Sequence, residues 1–517
     1  MKRLTITSMM ATIVLCAQGQ TPSLTVEKYK YADEIQLWQQ THNAAGLSLD
    51  ITANDSNANR GIAYFNYSHR GGDFHRVQEG GPNNQLSFFT ERYQKIGKYL
   101  YGYGSFLFDM GRTKNRAWSD VIRTYNSNPF ISGSSIPGKY DNMDFILNAS
   151  LSTIQFGHFT FGGNLFYHAG DLSRLTDPRP RAQLAQYRIT PAITYSIGHH
   201  TIGLAAHYDR RKEKIPGFSN AQTDASFVYY LMTGLENATG TINGDKGYKR
   251  EYVNHEFGME LNYGLHTAGF HHLTSLTFEN GTEYIYGNNK YQPGKYKNFK
   301  YGLNTYNRIQ KGRVIHSADL RLKYETGAAD EYRQEYMTTI DQETGISSSV
   351  WNTTMVYKKR YQLKKLDLDL HYRLSFTNDK AITAYAGIRY QLQSVNNKHL
   401  LNTSELKYAT SQIMIEGGLP LFKRHLWAEA ETGFGFSHQA KLNLADPTTD
   451  YALAVLIPDM AYYRANYWKG HLQLTYQIPI TIKKHTYDWF ARAYVDYVKS
   501  NHFGKRHQVG FSIGLYY

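Results

Sequence analysis

The amino-acid sequence predicts an all-β protein: a single antiparallel up-and-down transmembrane β-barrel of about 18 strands (16–18), preceded by a short N-terminal extension. Three observations predict this class. Apolar and polar residues alternate with period 2 over long segments, tyrosine dominates the aromatic residues, and short and long connections alternate along the chain. A barrel strand has one face toward lipid and one toward water, which accounts for the period.

The composition suits a chain that meets both lipid and water. The 517 residues include 44 Tyr, 25 Phe and 6 Trp, but only 13 Pro. A tyrosine ring has an apolar body and a polar tip, so it suits the boundary between a bilayer and water. The sequence contains no run of about 18 apolar residues that would cross a bilayer as a helix.

The net charge of +14 is spread along the chain and is not concentrated in one tract. A nucleic-acid partner would require a concentrated basic patch or stripe. We therefore expect no nucleic-acid binding, and we expect a solvated surface that faces anionic lipopolysaccharide.

Residues 1–19 have the features of a secretory signal peptide. Lys2 and Arg3 precede an apolar stretch, and an Ala-Gln-Gly exit predicts cleavage near Gly19. We therefore expect export, and location in the outer membrane of a bacterial cell.

The one cysteine of the sequence, Cys16, lies inside this signal segment. Lipidation of Cys16 is the less favoured alternative, because Val14 and Leu15 stand where small residues are preferred. The mature chain is then expected to contain no thiol, which excludes disulfides, thiol catalysis and cysteine-bound metal.

Residues 60–517 are predicted to form the barrel. The final strand has one apolar face, and its members are Val509, Phe511, Ile513, Leu515 and Tyr517. We expect it to pair with the first strand, because a closed barrel leaves no free edge. Its alternation and terminal aromatic residue also resemble the signal that the bacterial barrel-insertion machinery recognises.

On the predicted outer faces Ser275 and Glu279 fit poorly, unless they lie near lipid headgroups or a β-bulge shifts the phase.

The lengths of the connections predict which end of the barrel faces the periplasm and which faces the outside. Short turns are expected near 96–98, 157–158, 198–199, 266–269, 311–312, 378–379, 420–424 and 483–485. Longer links are expected at 70–84, 110–141, 170–186, 213–250, 287–299, 326–352, 394–404, 438–466 and 499–505. Short turns are typical of the periplasmic side and longer loops of the external side.

Residues 20–59 precede the barrel, and the sequence leaves two alternatives for them. Residues 31–40 (YADEIQLWQQ) predict a short helix with Ile35 and Trp38 on one face. The segment is either a periplasmic extension or a small plug inside the lumen.

Ionisable residues at inward positions are the candidates for solute selection. Both signs of charge are present, in Asp319, Arg321, Lys323, Asp367, Asp369, His371, Arg373, Arg389, Glu429, Glu431, Arg492 and Asp496. Glu325 and Glu416 belong to the same inward set. Eighteen tilted strands enclose a cylinder about 40 Å across, too wide for wall side chains to fill. The alternatives are a charged constriction that selects solutes and an internally paired wall that only stiffens the barrel.

The predicted external link 170–186 contains a second candidate site. Two prolines stiffen it and direct Arg179 and Arg181, which could bind an anion or a partner. We expect no enzyme, no metal and no cofactor, because the sequence has neither a Gly-x-Ser-x-Gly nor a His-Glu-x-x-His motif.

Four short segments resemble an uncharacterised outer-membrane β-barrel family of the Bacteroidota: 72–74 (GDF), 77–80 (VQEG), 113–120 (TKNRAWSD) and 177–180 (DPRP). The resemblance implies a barrel in the outer membrane, without a known substrate or catalytic residues. It also implies action beside a TonB-dependent receptor or a surface lipoprotein. The plug domain of TonB-dependent transporters is missing, so the chain is not expected to be such a transporter itself.

The lumen polarity and barrel width together predict a porin-like channel for passive or facilitated uptake of a small polar or nutrient solute. The alternative is a non-conducting barrel that serves as an accessory or platform subunit of a surface nutrient-acquisition complex.

Overall fold

The computed structural model describes residues 25–49, 59–124, 127–219, 228–242, 249–340, 342–482 and 485–517. The predicted signal peptide, its cleavage site and Cys16 lie outside the described residues.

The described residues form a closed antiparallel barrel of eighteen strands, which confirms the predicted fold class. Each strand pairs with its neighbours in the sequence. In chain order, β1–β18 are Arg60–Gly72, Asn83–Ile96, Leu100–Arg116, Gly138–Thr153, Phe159–Arg174, Arg179–Ile197, His200–Ile215, Arg250–His266, Phe270–Tyr286, Gly294–Lys311, Val314–Ile340, Ser347–Asn378, Ala381–His399, Ser404–Leu421, Leu426–Asn443, Tyr467–Ile482, His485–Ser500 and Lys505–Tyr516.

The barrel closes between β1 and β18. Their antiparallel register runs from Ile62 opposite Tyr516 to Gly72 opposite Arg506. At one end Gly61 and Tyr517 exchange two backbone hydrogen bonds, with N–O distances of 2.6 and 3.0 Å. Neither β1 nor β18 is therefore left with an unpaired edge.

The outer surface of the barrel is apolar. On β18 the side chains of Val509, Phe511 and Ile513 are 46%, 52% and 47% exposed, and Leu515 follows in the same phase. The intervening Ser512 is buried and donates to Asn66 inside the barrel. This is the apolar-out, polar-in alternation of a membrane barrel.

The strand phase predicted for Ser275 and Glu279 is wrong. Ser275 is fully buried, and Glu279 contacts His207 on the inner wall, whereas Leu276 and Phe278 are exposed on the outside. The pairing of β9 with both neighbours is continuous through this region, so no bulge shifts the phase. These residues simply face the lumen.

Short connections lie at seven of the predicted positions, and the predicted turn at 483–485 falls partly outside the described residues. Four predicted long links are wrong. Three of them are only four residues long, at 175–178, 400–403 and 501–504. The predicted loop 326–352 is mostly strand, since β11 and β12 reach Ile340 and Ser347. We call the end of the barrel with the short connections the short-turn end, and the other the long-loop end.

Beyond the barrel wall, β11 and β12 continue as a two-stranded ribbon. Pairing of β11 with β10 stops at Glu331, and pairing of β12 with β13 begins at Tyr361. Within the described part of the chain, residues 332–340 and 347–356 form strand pairs only with each other. We call this part the ribbon.

At the long-loop end, several loops fold into the lumen. One contributes Ile131–Ser134 to a three-stranded sheet with Val228–Gly234 and Asn237–Ile242, and another forms helix α2, Ile457–Arg464. These loops pack a hydrophobic cluster against inward side chains of the strands. Its members include Trp118, Phe130, Met232, Tyr361, Leu363, Tyr408, Val455 and Met460.

At the short-turn end, residues 25–49 lie inside the barrel; we call them the inner segment. It consists of helix α1, Val26–Ile35, and two 3₁₀ turns, Leu37–Gln40 and Ala44–Ser48. No helix in the described part of the chain is long and apolar enough to cross a membrane.

Candidate functional site in the barrel lumen

The inner segment is held by apolar packing against the inward faces of strands on several sides of the barrel. Val26 and Tyr29 of α1 pack in a cluster with Ile62, Trp427 and Phe490. A second cluster joins Leu37 and Trp38 to Leu273 and Tyr306, and a third joins Ala45 to Ala192 and Ala205.

Hydrogen bonds fix the C-terminal part of the inner segment. The Asn43 side chain accepts from the Ala45 backbone N–H at 3.1 Å and so caps the last 3₁₀ turn. The same side chain donates to Asn262 of β8 at 2.7 Å. The hydroxyl of Ser152 on β4 donates to the Ala45 carbonyl at 2.9 Å.

The predicted lumen residues all lie on the inner face of the wall. Asp319, Arg321, Asp369, His371, Arg373 and Arg389 surround one cavity with the inner segment, and Lys323 and Asp367 line a neighbouring one. Glu429, Glu431, Arg492 and Asp496 contact other inward side chains.

The centre of the predicted set is a network around His371. Its imidazole lies 2.9 Å from Glu416 and 3.5 Å from Asp319. Arg373 donates to Glu416 at 2.8 Å and reaches Glu34 of α1 at 3.3 Å. The wall network therefore extends directly into the inner segment.

Glu429 makes the second link to the inner segment. It accepts from Lys30 of α1, Tyr385 and Gln473, each at 2.6 Å. Nearby, Glu431 pairs with Lys469 at 3.3 Å.

On the last strands, Asp496 pairs with His471 at 2.9 Å. The Arg492 guanidinium lies over the rings of Tyr64 and Phe490, at 5.7 and 5.0 Å from their centroids. Asp496 and Arg492 therefore both lie on the inner face of the barrel wall.

A second charged network was missed from the sequence, and it lies on β6–β10. Glu256 and Glu279 share the cations Lys300 and Arg188, and His207 lies 3.2 Å from Glu279. The ligand atoms of His207, Glu256 and Glu279 lie within 4.8 Å of one another, close enough for a metal. Lys300 and Arg188 already neutralise these carboxylates, so the arrangement fits an ion-pair network better than a metal site. The period-2 pattern could have identified it, had the phase of β9 been assigned correctly.

The loops at the long-loop end carry buried charges. Arg123 binds Glu213 and Glu283 at 2.6 and 2.5 Å, anchoring its loop to β7 and β9. Asp459 of α2 accepts from the Val77 backbone N–H at 2.9 Å. Burial raises the pKa of Asp459 to about 7, with partial opposition from that hydrogen bond and from Arg76.

Two neighbouring cavities lie between these elements. The outer cavity, about 460 Å³, is bounded by residues of the loops at the long-loop end, such as Phe74 and Tyr463, and by wall residues such as Lys323. The inner cavity, about 360 Å³, lies between α1 and the wall around His371. Arg321 and Asp369 line both cavities, so these two residues mark their boundary.

The two loop candidates are not free. Arg179 and Arg181 lie at the start of β6, 45% and 61% exposed, and pair with Asp177 at 2.7 Å and Asp171 at 2.6 Å. They belong to a strand and not to a long stiff loop, because β6 begins at Arg179.

The fold and lumen define a closed β-barrel with an apolar exterior and a charged, partly filled interior. The chain belongs to a family of unknown function (DUF6850), whose model matches residues 44–517. No curated protein is significantly similar to it in sequence.

Several solved structures share the barrel architecture. The outer-membrane transporter YddB from Escherichia coli aligns at a TM-score of 0.41 and 7% identity, over 88% of this chain and 80% of that chain. The FrpB iron transporter from Neisseria meningitidis aligns at 0.38 and 9%, over 89% and 81%. The outer-membrane protein OpdK from Pseudomonas aeruginosa aligns at 0.34 and 8%, over 89% and 99%. Similarity at this level carries no information about a solute or a partner.

Proposed function

We propose that the protein is a channel of the bacterial outer membrane that admits a small polar or nutrient solute through the barrel lumen. The apolar exterior supports a position in lipid, since such a surface is otherwise unfavourable in water. The proposal includes export by a cleaved signal peptide, delivery by the barrel-insertion machinery and contact with lipopolysaccharide. It assigns no catalytic reaction and no cofactor.

One observation carries the proposal: the outer and inner cavities share the lining residues Arg321 and Asp369. A solute that entered from the long-loop end would pass these residues before it reached α1. The wall there is polar and charged, so it can replace part of the hydration of a polar solute.

The inner segment and the folded-in loops narrow this path. An unobstructed barrel of this size would hold a wide aqueous channel. Passage therefore depends on the space beside the inner segment or on its displacement.

Liposome swelling tests the proposal. Proteoliposomes that contain the purified full-length chain should swell in arabinose faster than empty liposomes, and more slowly as the sugar becomes larger. Chain that is correctly folded, as judged by heat-modifiable migration, but leaves the liposomes impermeable to arabinose would refute the proposal.

A second candidate function rests on the ribbon. Ile340 and Ile346 are 65% and 66% exposed at its tip, and Val350 and Met355 are also exposed. An isolated two-stranded ribbon is only marginally stable in water, and beyond Gln334 no other described strand pairs with its edges, which favours pairing with another chain. This favours a role as accessory or platform subunit for a TonB-dependent receptor or a surface lipoprotein.

Replacing residues 332–356 with a short turn separates the two candidates. For the platform role, the shortened chain should lose co-purification with a receptor or lipoprotein that the full chain retains, while liposome swelling is unchanged. Equal co-purification by both chains would exclude the ribbon as the docking element.

A further inference from the structure

The carboxylates of the outer cavity are already neutralised by neighbouring residues. Asp369 accepts from Arg389 at 2.8 Å and from Gln391 at 3.1 Å. Asp367 lies 3.1 Å from Lys365 and accepts from Gln393 at 2.8 Å.

Two cations of the same cavity form no ion pair, although Asp369 lies opposite Arg321 and Asp367 opposite Lys323 in the register of β11 and β12. Arg321 and Lys323 are exposed to the lumen, and among the described residues no carboxylate lies within ion-pair distance of either. Two residues apart on one face of β11, their Cα atoms are about 7 Å apart. Arg321 does touch a ring, since its guanidinium lies 5.6 Å from the Tyr306 centroid. By contrast, Arg76 of the same cavity is paired with Glu79 at 2.7 Å.

Aromatic rings form another part of the cavity wall. Tyr408 and Tyr463 stack with centroids 4.0 Å apart and planes at 13°. Phe74 packs against Tyr462 and Tyr467, with centroid distances of 4.8 and 5.3 Å. All five rings line the cavity. Rings of this kind offer apolar faces and edges to a flat solute.

We propose that the outer cavity is a binding site for a small organic anion that carries a ring, with the anionic group at Arg321 and Lys323 and the ring against the aromatic wall. Arginine and lysine provide charge-assisted hydrogen bonds to a carboxylate. The cavity of about 460 Å³ is within the usual size range of small-molecule sites. The inference rests on the proposed channel function, because the site lies on the path to the inner cavity.

Calorimetric titration of the detergent-solubilised full chain tests the site without requiring conduction. The probes are benzoate, benzamide, which keeps the ring but lacks the charge, and acetate, which keeps the charge but lacks the ring. Benzoate should bind at least about tenfold more tightly than either of the other probes. Equal affinity for benzoate and benzamide in the wild type would overturn the proposal without any variant.

The variant R321Q/K323Q should weaken benzoate binding about tenfold and leave benzamide binding unchanged. The matched control is Lys98→Gln, which removes an exposed cation from the short turn between β2 and β3, away from the lumen. Benzoate affinity unchanged in R321Q/K323Q would overturn the proposal. Liposome swelling tests the channel function separately, and impermeable liposomes would refute only that function. The titration alone tests the binding site.

Discussion

Lys30 of α1 and Glu429 of β15 form an ion pair of 2.6 Å between the inner segment and the barrel wall. The Lys30 ammonium also lies 5.6 Å from the Tyr385 ring and 5.8 Å from the Trp427 ring. Glu429 is mostly buried, so this ion pair is less screened by water than a surface ion pair and contributes more to stability. It therefore helps to fix the position of α1 in the lumen.

Lys30→Ala should loosen the inner segment. The loss of a partly buried charged hydrogen bond corresponds to about 1–2 kcal/mol, or roughly five- to thirtyfold in the opening equilibrium. Hydrogen–deuterium exchange of the α1 backbone measures this. Lys28→Ala is the control, because Lys28 lies on the same helix but is exposed. Equal exchange in the two variants would show that the pair does not hold the segment.

Docking of α2 in the lumen should depend on pH through Asp459. Its pKa in the folded chain is about 7, above the ordinary value of 3.8, because it is buried. The docked loop therefore binds the proton more tightly than the undocked loop does, so protonation of Asp459 stabilises docking. This stabilisation is complete at acid pH and is lost as pH rises through 7. The backbone N–H of Val77 acts on this carboxyl through a hydrogen bond, and Arg76 and Glu79 act on it through their charges.

Protease protection of residues 444–466 measures this dependence and should be greater at pH 5 than at pH 8.5. Asp459→Asn keeps an acceptor for the Val77 N–H but does not titrate, so the protection should become independent of pH. An Asn variant with the same pH profile as the wild type would assign the dependence to another group.

The outward position of Phe511 on β18 allows a test of whether this surface faces lipid. An arginine at this outward position should destabilise the barrel by about 2–4 kcal/mol if it lies near the bilayer centre. Gln508→Arg is the control on the inward face of the same strand, where water is available. Urea unfolding in lipid vesicles compares the two, and equal destabilisation would argue against lipid on the Phe511 side.

The barrel could be predicted from the sequence because each membrane strand has one apolar and one wet face. That signal disappears where both faces are wet. The ribbon illustrates this: residues 331–336 (EYRQEY) have charged residues on one face and tyrosine and glutamine on the other, so the pattern predicts a loop. Pro178 and Pro180 likewise suggested a long loop, although β6 begins at Arg179.

The candidate site could be predicted only in part. Inward positions such as Asp369 and His371 follow from the alternation of β12. Arg389 and Glu416 are predicted to face inward in the same way, but their pairing with Asp369 and His371 could not be predicted, because the sequence does not specify the relative register of their strands. The same holds for Glu34, whose pairing with Arg373 depends on α1 lying inside the barrel.

The most direct test of the central claim is single-channel conductance of the wild type, Gly162→Val and Gly163→Val in planar bilayers. A Cβ at Gly162 would lie 2.5 Å from the Ala45 backbone nitrogen, so valine must displace the inner segment, whereas Gly163 has only the Thr190 carbonyl oxygen nearby, at 3.8 Å. The account predicts discrete steps for all three chains, larger for Gly162→Val and unchanged for Gly163→Val. Folded chains that conduct no current, with or without the valine at 162, would contradict it.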